Sequence, residues 1–555
     1  MRLLNVKTKE LEEFIEGRIP KYAILSHTWE DREYSFQDFE RHGYPEGSRK
    51  VDGCCERAAV SQYDYVWVDT FCIDKRSSAE LSEAINSMFE WYKRSEICFV
   101  YLSDYEHAPR SGDDLRDEEP DEDFDRCRWF TRGWTLQELL APRKLEFYDK
   151  NWFQVGYINK TIRLSLDSIV SRISAITGIP EESLVGEDDL NEASVAQKMS
   201  WAAGRSTTRT EDRAYSLIGL FDINMTMIYG EGNRAFRRLQ EEIMKQSDDY
   251  TLFAWGVKSA QKRGARRQNA EFSAKYGILA SSPDDFENCG SVVSTQFAYT
   301  ASHFMMTNAG ILLTLPCINL PGDGDSVLVG LKCSVEEGRR AQVLALPLYR
   351  TARNRGAVEI LQRLDDVAPE IVSVKLFNQH KTKTFYASYS HSQPFDETYR
   401  HVLWTTYDNF EVTGIYPLHT VHFKDYSNFK ILNVFTCIGD RPADGYPVYL
   451  RFTDTALGSF ILRIRRDDSD EVMVDCSLDP SNASQSLIEL VLKESLDSVR
   501  WRSILPLSWD GQQYAVEVHI GLTGDIMLDL KQATIGEAGG QGTVPVRKRV
   551  RHRRV

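Results

Sequence analysis

Residues 127–141 read C-R-W-F-T-R-G-W-T-L-Q-E-L-L-A. Leu136, Leu139 and Leu140 recur at helical spacing, which predicts a short helix over Arg132–Ala141 with one buried face. Pro142 closes it, because proline has no amide proton and its ring clashes with the preceding turn. Glu138 sits among the leucines, about one turn after Trp134. An ionised carboxylate among apolar side chains is costly, so it requires a reason. Two are open: a local structural role, such as pairing with Arg132, or a chemical task that uses the carboxylate.

The chain before this stretch alternates strands and helices. Tyr22–Ser26, Y-A-I-L-S, is a short apolar strand running into His27, Thr28 and Trp29. Val51–Gln62 reads as a helix with Cys55, Ala58 and Ala59 inward. Tyr65–Val68, Y-V-W-V, is a second strand, of the kind covered on both faces, and it ends at Asp69. The loop T-F-C-I-D-K-R-S follows, and Ser77-x-x-Glu80 forms a capping box for the next helix. Leu81, Ile85, Met88, Phe89 and Tyr92 make one apolar stripe on that helix, best read as core. Ile97–Leu102 is a third strand and Leu145–Tyr148 a fourth, while Met1–Asn5 suits a short edge strand. The order β-α-β-α-β-loop-α-β implies a parallel sheet with right-handed crossovers. Polar residues just past the carboxyl ends of such strands are where open α/β sheets place ligands. His27, Thr28, Asp69 and the loop Cys72–Lys75, with Asp74 in it, occupy those positions.

From Thr161 to Ser247 the pattern is mostly helical, with segments at Leu164–Thr177, Val195–Ala203, Arg213–Gly219 and Arg234–Gln246. Gly230 and Gly232 suit either a plain connecting turn or an anion-binding turn ahead of a helix. Arg205, Arg209, Glu211, Asp212 and Arg213 suggest a structural ion-pair network. Lys258–Asn269 is polar and basic and reads as a linker. Beyond Gly277 the apolar runs are short and punctuated by turn residues, for example Ile311–Leu315, Ser326–Val329 and Val448–Phe452. They predict a mostly β domain, sandwich-like or barrel-like. The expected organisation is an α/β core over 1–160 and a helical extension over 161–256. A linker over 257–276, a β-rich domain over 277–540 and a basic tail over 541–555 follow.

Composition excludes several classes. The formal charge of −15 argues against a dedicated nucleic-acid binder. No apolar run is long enough to span a bilayer, and the charged N-terminus lacks the apolar core of a secretory signal. The ten cysteines contain no CxxC pair, so neither a zinc site nor a disulfide framework is indicated and no metal is expected. Neither GxGxxG nor GxxxxGK[ST] is present, so a nucleotide would have to be held without those loops. Residues 113–125 carry nine acidic side chains and one arginine in thirteen positions, a solvated loop. Residues 546–555 carry six Lys/Arg, either a solvated tail or a nuclear-import signal. A cytoplasmic location is expected, or a nuclear one through this tail. His419-x-x-His422 is read as structural.

Several long motifs in order resemble a known family. Y-A-I-L-S-H-T-W at 22–29, W-V-D-T-F-C-I-D-K at 67–75 and R-W-F-T-R-G-W-T-L-Q-E-L-L-A-P at 128–142 resemble the fungal heterokaryon-incompatibility (HET) domain. E-D-R-A-Y-S-L-I-G-L-F-D-I-N-M at 211–225 and Y-G-E-G-N-R-A-F-R-R-L-Q-E-E-I at 229–243 resemble the region that follows it. The resemblance implies a role in the cell death that follows fusion of unlike hyphae. It also implies a TIR-like, flavodoxin-type sheet. Trp134-Thr-Leu-Gln-Glu138-Leu is similar to the TIR W-C-x-x-E-L segment, whose glutamate catalyses NAD⁺ cleavage. Carried over by motif, that residue is Glu138. The helix entry Arg132-Gly133 and the acidic insertion depart from the TIR pattern.

The implied function is NAD⁺ hydrolysis at the nicotinamide–ribose bond by a self-associated effector, with NAD⁺ as substrate and no resident cofactor. Cleavage passes through an oxocarbenium-like ribosyl cation, and nicotinamide leaves neutral, so one carboxylate can suffice. Trp29 and Trp134 are candidates to stack on the nicotinamide or adenine, and Arg132 to meet a phosphate. An incompatibility partner of unknown identity is expected, and the β-rich half would sense it or restrain the HET domain. The alternative is a HET module that signals by assembly alone, with Glu138 structural. A third reading, a nuclear regulator, rests on the basic tail.

Overall fold

The structure is a computed structural model. It describes residues 1–15, 17–107, 122–162, 164–165, 167–257 and 277–295, then shorter runs between 303 and 532. The linker at 258–269, the acidic stretch at 113–121, and the basic tail lie outside the described residues, as do the side chains of His419 and His422. The chain divides into two compact units, one of residues 1–255 with 279–294, the other of residues 256–278 with 295–555.

The first unit is built on an eight-stranded sheet in the order β2-β1-β4-β3-β5-β6-β7-β8. These strands are β1 (Arg2–Asn5), β2 (Leu11–Glu13), β3 (Tyr22–His27), β4 (Tyr65–Trp67), β5 (Ile97–Tyr101), β6 (Lys144–Tyr148), β7 (Gln154–Asn159) and β8 (Leu164–Ser165). The central β4-β3-β5-β6 are parallel. Antiparallel strands flank them on both sides, so the parallel sheet expected from the sequence is the middle of a mixed one. β1 pairs with both β2 and β4 and is therefore not an edge strand. Every residue of β3 and β5 is buried, which explains why their sequences are apolar without alternation.

Helices connect the parallel strands: α1 (Phe36–His42) and α2 (Arg49–Val60) between β3 and β4, and α3 (Ser78–Arg94) between β4 and β5. Helix α2 buries Val51, Cys54, Cys55 and Ala58, a helical stripe. Ala59, expected inward, is exposed, because it falls a hundred degrees off that stripe. Gly53 lies under the Trp152 indole, where a Cβ would sit 2.2 Å from ring atoms. Ser77 accepts the Glu80 amide proton at the start of α3, but the Glu80 carboxylate turns to Arg2 and the Asp74 amide instead of closing the box.

Between β5 and β6 come α4 (Glu122–Asp125), α5 (Arg128–Thr131) and α6 (Thr135–Leu140). The helix expected over Arg132–Ala141 is thus shorter, Thr135–Leu140, and a separate helical turn, Arg128–Thr131, precedes it. Arg132 is extended between them, with φ −83° and ψ 139°. It is held there by ladder bonds, the Gly133 amide to Ser206 O at 2.8 Å and the Ser206 amide to Thr131 O at 2.7 Å. Leu136, Leu139 and Leu140 are buried as the spacing predicts, each contributing about 1.5–3 kcal/mol.

The helical extension has α7 (Asp167–Thr177), α8 (Glu181–Val185), α9 (Glu187–Glu192), α10 (Val195–Ala202), α11 (Asp212–Tyr215) and α12 (Arg234–Gln246). Leu164–Ser165 is a strand, not the start of α7, and α11 stops at Tyr215, short of Gly219. Residues 279–294 return to this unit. Asp284 takes the Arg213 guanidinium through both oxygens at 2.6 and 2.8 Å, and Gln240 exchanges hydrogen bonds with the Ala280 backbone.

In the second unit Gly310–Asn319, Ser326–Gly330, Gln342–Arg350, Glu359–Gln362 and Thr382–Ala387 pair in sequence order. Thr382–Ala387 also pairs back onto Gly310–Asn319, so these strands close a barrel. A six-stranded and a four-stranded sheet follow, built from strands between Tyr399 and Gln532. This half is mostly β, as its turn-punctuated sequence predicts.

Candidate functional site

The site is organised at the carboxyl end of β3. Its neighbours there are β4, which follows in the chain, and β5, which lies on its other side. Open α/β sheets place ligands at the carboxyl ends of such strands.

His27 ends β3, with Nε2 donating to Asp69 Oδ1 at 3.0 Å. Its Nδ1 lies 3.1 Å from Thr28 O and 3.4 Å from Lys50 Nζ. Trp29 Nε1 donates to Asp69 Oδ2 at 2.8 Å. Burial pushes the Asp69 carboxyl up, but Lys75, His27 and Trp29 outweigh it and hold the group below the usual carboxylate range. Lys75 Nζ stands 3.8 Å from Asp69 Oδ2 and 3.6 Å from the centre of the Trp29 ring. Burial lowers the Lys75 pKa, with Asp69 opposing. Thr28 is buried, its hydroxyl 3.4 Å from that of Ser103.

Glu138 lies one layer deeper, 7% exposed. Ser26 Oγ donates to Glu138 Oε2 at 2.5 Å and accepts from Trp129 Nε1 at 2.8 Å. Tyr92, whose hydroxyl donates to Leu25 O at 3.2 Å, also borders the carboxyl. Burial pushes the Glu138 pKa up to about 8, Ser26 opposes this, and the negative Asp69 adds to it. The ion pair with Arg132 is absent. The Arg132 side chain instead reaches Thr208, with Nη2 3.4 Å from Oγ1.

The remaining candidates sit elsewhere. Cys72 is buried, its sulfur accepting the Val68 amide proton, and burial pushes its thiol up to about 12. Asp74 holds Arg76 and stabilises the turn before α3. Trp134 Nε1 is 3.4 Å from Asp212 Oδ2, in a group with Tyr229, which bonds Asp212, and Arg209, which covers the Tyr229 ring. No hydrogen bond or ring contact among the described residues joins Arg132 or Trp134 to the His27–Trp29–Asp69 group.

The structure adds residues that sequence reading passed over. Ser26, Trp129 and Tyr92 border this site from β3, α5 and α3, so no local spacing marks them as a group. Lys50 binds both Glu33 oxygens, at 2.5 and 2.7 Å. Arg205 is buried. It donates to Trp201 O at 2.9 Å, Arg132 O at 3.1 Å and Thr135 Oγ1 at 3.3 Å, with no carboxylate among its described contacts. The Gly230–Gly232 turn does bind an anion, and that anion is Glu211, whose Oε1 accepts both glycine amides at 2.7 and 2.9 Å. The charged residues at 205–213 therefore bond outward and not with one another. Among the described residues no His, Cys, Asp and Glu grouping could hold a metal, and no helix is long and apolar enough to cross a membrane.

With this geometry in view, two family comparisons are informative. Residues 22–116 match the family described as heterokaryon incompatibility protein (HET), and 234–321 match one described as a domain of unknown function, DUF8212. Residues 22–116 thus carry a HET domain. The chain is 44% identical over 284 residues to the vegetative incompatibility protein HET-E-1 of Podospora anserina. That match covers 50% of this chain and 19% of the relative, so the chain spans only about a fifth of the relative's length. A crystal structure of wild-type Xerocomus chrysenteron lectin XCL matches 24% of this chain and 98% of its own at 10% identity. Its TM-score of 0.15 carries no inference.

Proposed function

We propose that this chain is an effector of heterokaryon incompatibility and cell death whose HET domain, when self-associated, hydrolyses NAD⁺ at the nicotinamide–ribose bond. The observation that supports it is the placement of Glu138 behind the β3 carboxyl end, next to the His27–Trp29–Asp69 group. The parallel strands run in a flavodoxin-like order, consistent with the TIR-like reading. In the reaction the C–N bond to nicotinamide breaks, its electron pair leaves with neutral nicotinamide, and water adds to the ribosyl carbon and loses a proton. Glu138 stabilises the ribosyl cation in its ionised form. Burial favours the protonated form near neutral pH, whereas a cationic nicotinamide ring beside it favours ionisation. The β-rich half acts as the sensor or restraint in this reading.

The test is NAD⁺ consumption by concentrated full-length protein, wild type against Glu138→Gln. Turnover in the wild type that falls at least about 100-fold in the variant supports the assignment. Undiminished turnover in the variant refutes it. A second reading, signalling by assembly without chemistry, is favoured by the depth of Glu138, which is 7% exposed and hydrogen-bonded inside the domain. Lack of turnover in every assembled state, with cell death retained in Glu138→Gln, would establish that reading.

A further inference from the structure

Trp29 is a large apolar side chain left 44% exposed at the mouth of the site. Three observations define what surrounds it. Its indole N–H is fixed by Asp69 Oδ2, so the ring is held in one orientation. Lys75 Nζ lies over the ring face at 3.6 Å. Both Asp69 oxygens already accept hydrogen bonds, from His27 and Trp29, so Lys75 meets Asp69 only as a charge at 3.8 Å. The other nearby acid, Glu33, is held through both oxygens by Lys50.

An indole face beside a fixed carboxylate attracts cations, and it does so best when water is partly excluded. Lysine is a strongly hydrated point charge on a flexible stem, a poor match for a flat ring surface. A planar organic cation covers the indole with its whole face, gains dispersion as well as charge attraction, and loses less hydration. We propose that Trp29 and Asp69 form a recognition site for a flat organic cation of the pyridinium class, and that Lys75 occupies it from within as a displaceable stand-in. Burial opposes the Lys75 charge more than Asp69 and Glu33 favour it. The inference extends the NAD⁺ reading, since the nicotinamide of NAD⁺ is a pyridinium, but it concerns binding and does not require turnover.

The test is a ligand-observed NMR titration of full-length protein with 1-methylnicotinamide, a cation, and with neutral nicotinamide. Lys75→Met vacates the site, and Lys75→Gln does so while keeping a polar stem. Both variants are expected to bind 1-methylnicotinamide about 5-fold or more tighter than the wild type. Neutral nicotinamide is expected to show no such gain, and adding Trp29→Leu to either variant should abolish it. Equal affinity in wild type and both variants, or an equal gain for the neutral ring, would overturn the proposal. Circular dichroism melts identify a variant that has not folded, in which case the other decides. A gain for the cation without NAD⁺ turnover keeps this site and refutes the hydrolytic reading, while turnover without a gain does the reverse.

Discussion

Ser26 and Glu138 lie 112 residues apart in the chain and meet at 2.5 Å, the serine hydroxyl donating to the carboxyl. Trp129 Nε1 donates to the same serine oxygen, which leaves the serine proton directed at Glu138. The contact joins the end of β3 to α6, and burial favours the protonated carboxyl while Ser26 opposes this. A buried carboxyl that meets only neutral hydroxyl donors is destabilising when ionised.

This predicts a pH-dependent gain from Glu138→Gln. The folded-state pKa is about 8, against roughly 4.3 in an unfolded chain. Between these values the native state retains a proton that the unfolded state has lost, so stability falls as pH rises through the window. Gln mimics the protonated form and removes that loss. Glu138→Gln should be near neutral at pH 4 and stabilising by about 1–3 kcal/mol at pH 8.5. Urea denaturation at several pH values checks this, and a difference that does not change with pH would contradict it.

Arg205 makes a second case. Its guanidinium is buried on the Arg132 and Thr135 side of α6 without a carboxylate among its described contacts, and burial lowers its pKa to about 10. Deleting the side chain loses packing as well as three hydrogen bonds, whereas Met keeps the apolar stem and removes a charge that is costly to bury. Arg205→Ala should destabilise by about 1–3 kcal/mol and Arg205→Met by less. Thermal melts of the two variants decide the order.

The Glu211 turn gives a third. Gly230 has φ +101° and Gly232 φ +60°, and neither has a heavy atom within 4 Å of a built Cβ, so only backbone strain opposes a side chain. An L residue tolerates the left-handed region near +60° far better than +101°. Gly232→Ala should cost about 1 kcal/mol and Gly230→Ala more, about 2 kcal/mol. Equal effects in denaturant titrations would show that the turn relaxes.

Much of the α/β half was legible because its signals are local. Y-A-I-L-S and I-C-F-V-Y are too apolar for anything but covered strands, and Val51, Cys55 and Ala58 mark a buried helix stripe. The late start of the helix expected over Arg132–Ala141 was not legible, because the extended Arg132–Gly133 stretch is imposed by pairing with Ser206, far along the chain. The flanking β7 and β8 escaped notice for a similar reason. The alternation of β7 is faint, and β8 is two residues long. Candidate residues sorted the same way. His27, Trp29 and Asp69 converge because they end neighbouring strands, whereas Cys72, Asp74, Arg132 and Trp134 found other partners.

What the sequence determined by itself was the succession of strands and helices, the β-rich character of the second half and the motif containing Glu138. These depend on periodicity, turn residues and residue order, which are properties of short segments. Tertiary structure alone decided that Glu138 faces Ser26 and not Arg132, that Glu211 fills its own anion turn, and that Lys75 covers Trp29. Each choice is a competition among donors and acceptors distant in sequence, and burial fixes the outcome by making an unpaired polar group costly.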